Sequence, residues 1–331
     1  MEHLPPEREV THWILKMSNF TTTVTEFLLM RFSDTRELQI LYSLLFFLIY
    51  SAAMMGNILI IIITTTDSRL DTPMYFFLRN LSIVDACFIS ITVPQASINS
   101  MVNNRTISVT GCAAQIFLVT FMAYVEFTLL TVMARDRYVA ICYPLLYPVI
   151  MNHTVCMQMT FTCLFTGLLY ASFHTGYTFQ LTFCQSNMIH QFFCDIPSLL
   201  KISCSETFSH TLSLLGSALV IGIGCFVFIT ASYITIFSTV LKFPVKEDQR
   251  KAFSICVPHI IVVALFLISG YYVYLQPPSD SGSLKDIILS LFYCIVPPFL
   301  NPIIYSLQNK QIKEAASIVM KRKCFLLRFK A

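Results

Sequence analysis

Seven stretches of this chain are apolar for long enough to cross about 30 Å of hydrocarbon. They fall at about residues 40–64, 74–98, 112–142, 155–178, 209–241, 252–274 and 284–306. No other property limits the fold as strongly. Inside lipid every backbone N–H and C=O needs an internal partner, and for runs of this length the helix supplies it. The expected fold is therefore all-α: a seven-transmembrane helix bundle over 40–306, an outer tail at 1–39, a long loop at 179–208 and an inner tail at 307–331. Composition agrees, because 56% of the 331 residues are hydrophobic and only 12% charged, whereas soluble domains run near 25% charged. Neither an internal repeat nor matching halves with broken helices is visible, which argues against a repeat-built transporter.

The basic residues set the direction of insertion. With the N-terminus outside, the inner segments hold 15 of the 22 Lys and Arg. Residues 1–40 lack a basic start followed by an apolar core, so the first span is expected to serve as both insertion signal and anchor. Of the 12 cysteines, Cys112, Cys184, Cys194 and Cys204 fall on the outer side, where disulfides persist. Spacing leaves all three pairings of these four open. Asn19, in NFT, is the expected glycosylation acceptor on the outer tail. At the other end KRKCFLLRFK mixes basic and apolar residues, suiting contact with anionic membrane lipid, and Cys324 is a candidate for palmitoylation.

Three stretches raise questions of chemistry. The run VMARDRYVAICYPLLYPVIM places Arg135, Asp136 and Arg137 between apolar flanks, although each charge costs roughly 2.5–3.5 kcal/mol at a bilayer centre. The inner mouth of the third span resolves this: Asp136 pairs with Arg137 there, or both act as solvated charges that fix orientation. Asp85 and Glu126 lie deep in the second and third spans, where acids point to a functional site by default. A sodium ion held between them, with Asn57, Ser82 and Asn301 nearby, would relieve their burial and repulsion; the alternative is a proton-sharing pair that only packs the bundle. Above Glu126, one face of the third span carries Val119, Thr120, Ala123 and Tyr124. The sixth offers Leu267, Gly270, Tyr271 and Tyr274, and the fifth Ser217 and Ile221. By spacing alone these stripes are equally those of plain helix packing.

Several motifs in order resemble the olfactory receptor family, tetrapod-type, of the class A rhodopsin-like G-protein-coupled receptors. They are Gly56–Asn57, PMYFFLRNLSIVDACF from Pro73, MARDRYVAICYPLLYPVIM from Met133, Ser232–Tyr233, KAFSICVPH from Lys251 and NPIIYSLQNKQIK from Asn301, with QFFCDIPSLLKISC as the long second outer loop. The resemblance covers about residues 18–320. It implies a rhodopsin-like bundle in the plasma membrane with a short amphipathic cytoplasmic helix after the seventh span. It also implies disulfides Cys112–Cys194 and Cys184–Cys204, and the stripes above as the lining of an odorant cavity. A heterotrimeric G protein of the stimulatory type, raising cyclic AMP, is the implied partner. In the same terms Asp136, Arg137 and Tyr138, with Tyr233, His259, Asn301, Pro302 and Tyr305, form the switch that meets it. An apolar lining with hydroxyls, and no buried charge at that level, suits a small neutral volatile molecule.

The chain departs from the family pattern at four places. Leu267 stands where an aromatic residue is common and Leu164 where a Trp is frequent; Arg135 precedes the DRY motif where Tyr is usual, and Pro258 precedes His259. A non-olfactory class A receptor for a small metabolite is the nearest alternative reading. A transporter or channel would need a continuous polar path, and Asp85 and Glu126 look instead like a closed pocket. No phosphate loop, HExxH motif or nucleophile elbow is present, so no enzyme and no cofactor beyond sodium is expected. The net charge of +4 is accounted for by the inner-face bias, with no call for nucleic acid.

Overall fold

The computed structural model describes residues 24–31, 35–183, 187–189, 191–204, 208–275, 294–305 and 311–317, with side chains throughout except at 208, 210–211 and 269–275. Six long helices are apolar enough to cross a membrane: α1 (Arg36–Thr66), α2 (Pro73–Val102), α3 (Val109–Cys142), α5 (His153–Thr178), α7 (Phe208–Val240) and α8 (Lys246–Leu275). A shorter apolar helix, α9 (Cys294–Tyr305), occupies the position of the seventh span. The remaining helices are short: α4 (Tyr147–Ile150), α6 (Ile196–Ile202) and α10 (311–317). Most spans run a few residues past the expected limits. The first begins at Arg36, so the outer tail ends earlier than the sequence suggested.

Local chemistry explains several boundaries. Ser108 accepts the amide of Gly111 to cap α3, and Asn152 accepts that of Val155 to cap α5. Pro73 opens α2, where its missing N–H has no helical partner to lose, and Asn103 closes that helix in the left-handed conformation at φ 54°. Lipid-facing positions stay apolar, as at Leu48, Phe161 and Val220, all exposed. Leu164 lies on this outer face too, so the departure there touches the membrane side and leaves the core intact.

Helix α3 contacts α2, α5, α7 and α8. Two close approaches require glycine. A Cβ at Gly167 of α5 would sit 2.9 Å from Val125 Cγ2, and one at Gly56 of α1 would sit 3.1 Å from Pro302 Cβ of α9. Beside Gly56, the amide nitrogen of Asn57 donates to the Pro298 carbonyl at 2.9 Å, fastening α1 to α9. At the inner end Tyr75 donates to Gln311 at 2.6 Å. Ile312 and Ala315 are buried in the main core while Lys313 and Glu314 are exposed, so α10 is the amphipathic helix expected after the seventh span.

The all-α expectation omitted one feature. Three short strands form a sheet in the order β2-β1-β3: β1 (Glu26–Leu29) pairs antiparallel with β2 (Thr106–Ser108) and parallel with β3 (Met188–Ile189). The amino-terminal tail thus supplies the central strand of a cap. Beneath it Phe27, Leu29, Ile107, Ile189, Leu199 and Ile202 form a separate buried cluster.

Candidate functional site

The outer cavity measures about 150 Å3 and lies between α3, α5, α7, α8 and the loop after α5. Helix α3 contributes Val119, Thr120, Ala123 and Tyr124, as its stripe suggested, together with Ile116 and Phe127. Helix α7 contributes Ile221 with Ala218 and Gly222. Two expectations are corrected. Ser217 is turned aside to His174 of α5, with 3.0 Å between Oγ and Nε2. On α8 the wall is Phe266, stacked on Phe127 with ring centroids 5.2 Å apart, while its neighbour Leu267 packs into the core. A step of one residue turns a helical side chain by about 100°, enough to exchange the two. Gly270, Tyr271 and Tyr274 lie on α8, but their side chains fall outside the described residues.

The lid of this cavity is the stretch Cys194–Pro197. Cys194 is bonded to Cys112 at the outer end of α3, as the resemblance implied. Gln115, one turn along α3, accepts the Cys194 amide at 2.8 Å and donates to Ile91 and Gln95 of α2, a latch that no sequence motif announced. Cys204 is also disulfide-bonded; its expected partner Cys184, like the acceptor Asn19, lies outside the described residues. The lid brings a charge into the wall, contrary to the expectation of a purely apolar and hydroxyl lining. Asp195 is 8% exposed and caps α6 by accepting the Ser198 amide. Burial pushes its carboxyl up to about 6, against the Ser198 hydrogen bonds.

Midway down, the two acids meet. The Asn301 amide nitrogen donates to Asp85 at 2.9 Å and to Glu126 at 3.3 Å, all three fully or nearly fully buried. Among the described residues Asp85 Oδ1, Asn57 Oδ1 and Asn301 Oδ1 are buried without a hydrogen-bond partner. Oxygens of this kind are the ligands that hard cations take in general.

The inner cavity is wider, about 760 Å3, and is lined by Met133, Arg137, Arg250, Lys251, Pro258 and Tyr305 among others. The question of the charged triplet is answered here. Arg135 faces outward, while Asp136 and Arg137 are buried and lie 3.8 Å apart. Asp136 also accepts from Tyr147 of α4 at 2.7 Å, a partner that sequence reasoning missed. Burial, then the Asp136 carboxylate, push the Tyr147 phenol up, so it remains a donor. Tyr233 and His259 engage each other at 2.7 Å, with no direct hydrogen bond from either to Arg137. Among the described residues Arg137 Nε and the Tyr305 hydroxyl have no hydrogen-bond partner. Tyr138 leans on Tyr143 at the rim, and Pro302 stands against Gly56.

A small cavity behind a bonded lid and a wide basic cavity thus occupy opposite ends of α3. The family model described as "Olfactory receptor" matches residues 46–323. The chain belongs to the olfactory receptor family. Human olfactory receptor 14C36 is 62% identical over 302 residues, covering 91% of this chain and 97% of that protein. Human olfactory receptors 14A16 and 14A2 are 51% and 50% identical, over 93% and 88% of this chain and 99% and 93% of their own lengths. The family consists of class A G-protein-coupled receptors of the plasma membrane, multi-span proteins that are not enzymes. Odorants and G proteins are its partners in general.

Proposed function

We propose that this receptor takes a small, mostly apolar volatile molecule into the cavity beneath Cys194–Pro197 and answers by activating a stimulatory G protein at the cavity around Arg137, raising cyclic AMP. One observation carries the reading: the same helix, α3, walls both cavities, with Thr120 and Tyr124 at one and Arg137 at the other. A shift of α3 against α5 and α7 is felt at both ends. An apolar cavity of about 150 Å3 admits a guest of roughly benzene size, and so small a guest favours micromolar rather than nanomolar affinity. The amino terminus and lid face outward in this reading, and the basic cavity, with the carboxyl-terminal tail beyond it, faces the cytosol and its lipid.

Arg137 is the residue that meets the G protein; Asp136 and Tyr147 steady the resting state, and the Tyr233–His259 pair stands ready to exchange partners when α8 moves. The test is a cyclic AMP reporter screened with volatile odorants. Arg137→Ala is expected to reach the surface and lose the response. A normal response from that variant overturns the assignment.

Sodium is the second part of the reading. Asp85, Glu126 and Asn301, with Asn57, would hold the ion, which would supply positive charge between carboxylates that otherwise repel. Replacing sodium by choline at fixed ionic strength and fixed chloride is expected to lower the melting midpoint and raise basal cyclic AMP. Equal values in both salts would leave only the proton-sharing pair.

A further inference from the structure

A separate chamber of about 20 Å3 lies at the outer rim, where the end of β1 meets the last turn of α2. Its wall brings together Arg31, Arg105, Asn99 and Ser100, closed by Leu29 and Phe192. Gln39 and Asn103 also line it. Arg31 Nε, Asn99 Nδ2 and Ser100 Oγ are buried with no hydrogen-bond partner among the described residues. Among the described residues neither Arg31 nor Arg105 takes part in an ion pair, and none of those lining the chamber is a carboxylate. Nearby carbonyls that could have served them are already used. Ser100 and Met101 accept from Arg36, and the Asn99 carbonyl accepts the amides of Asn103 and Asn104.

We propose that this chamber is a halide site, filled by chloride from the extracellular fluid. Buried donors without partners carry a desolvation penalty, and two guanidiniums around one small space repel each other. A monatomic anion relieves both, because it accepts from several donors at once and needs no acceptor in return. A water molecule serves less well, because it leaves the two guanidinium charges unbalanced. The space holds about one sphere of that scale, which excludes phosphate and carboxylate ligands.

The ion would bind together parts of the chain that are far apart in sequence. Arg31 follows the central strand of the cap, Arg105 precedes β2, Asn99 and Ser100 end α2, and Phe192 is two residues from the disulfide-bonded Cys194. Chloride therefore stabilises the lid without entering the odorant cavity.

The test uses full-length receptor in nanodiscs, where both faces meet the buffer and the outcome does not depend on membrane orientation. Thermal unfolding is followed as sodium chloride replaces sodium gluconate at fixed sodium and ionic strength, which holds any sodium effect constant. The midpoint is expected to rise saturably by about 2 °C or more and to rise equally in bromide. Arg31→Gln and Arg105→Gln are expected to lose the rise, and the milder Ser100→Ala to shift it to several-fold higher chloride. Equal midpoints for wild type in chloride and gluconate overturn the proposal in favour of water, whether or not the arginine variants fold. A chloride effect that survives in both arginine variants and in Ser100→Ala places the ion elsewhere and overturns it as well.

Discussion

The two cavities of this receptor differ in ways that match what each has to admit. The outer one holds about 150 Å3, is walled by apolar and aromatic side chains, and is closed by a loop fixed through a disulfide, a glutamine latch and a sheet. The inner one is about five times larger and lined with Arg137, Arg250 and Lys251, against a single carboxylate, Glu247, among the described residues. Small apolar guests gain their binding free energy by leaving water for a close fit, so walls that cannot give are an advantage. A protein partner brings its own shape and charge, and an open basic mouth favours its approach. On the proposed function the rigid end would discriminate and the open end would respond.

The sharpest way to break this contrast is to free the lid. Cys112→Ser removes a crosslink spanning 82 residues, a change worth about 2–5 kcal/mol. Surface receptor is expected to fall close to background by flow cytometry, with no comparable loss for Arg137→Ala at the inner end. Similar surface levels for the two variants would erase the asymmetry.

Proton binding at Asp195 sharpens it further. Its folded value, about 6, lies above the ordinary 3.8, so the folded lid binds a proton more tightly than the unfolded chain does. The stabilising effect of protonation is present at low pH and is lost as pH rises through about 6. The full difference is at most about 3 kcal/mol. The melting midpoint is expected to climb from pH 7.5 to pH 5, and Asp195→Asn, which keeps a capping oxygen, is expected to flatten that part of the profile. An unchanged profile in the variant would remove Asp195 as the cause.

The smallest effect is expected at the inner end. Tyr147→Phe deletes a hydrogen bond to a buried carboxylate, a class worth about 1.5–3 kcal/mol, but water in the wide cavity can replace much of it. Basal cyclic AMP is expected to rise a few-fold with little change in expression. A large fall in surface receptor would show that this end is as tightly built as the other.

Much of this was legible before any coordinates. The spans were readable because lipid imposes one solution on a long apolar run. Asp85 and Glu126 signalled themselves by being acids in such a run, and they do meet, through Asn301. Four of the α3 cavity residues were found because a helix face repeats. The failures have a common cause. Phe266 was confused with Leu267 because periodicity gives a face only to within a residue. Asp195 and Tyr147 were missed because the connections that carry them have no period, and Gln115, on α3, because its partner Cys194 lies in such a connection. The sheet was invisible for a different reason: strands of four, three and two residues are held by backbone groups that almost any residue supplies.

The order of that sheet has a consequence for biosynthesis. Its central strand leaves the ribosome first, yet the neighbours on either side belong to segments made much later, the last of them past residue 187. The amino-terminal tail can meet β2 once two spans have been made, but its other edge must wait for β3 until four spans and the loop behind them have followed. Closure of the cap is a late event in maturation, and a quality-control factor that senses a dangling amino terminus would be reading the state of more than half of the molecule at once.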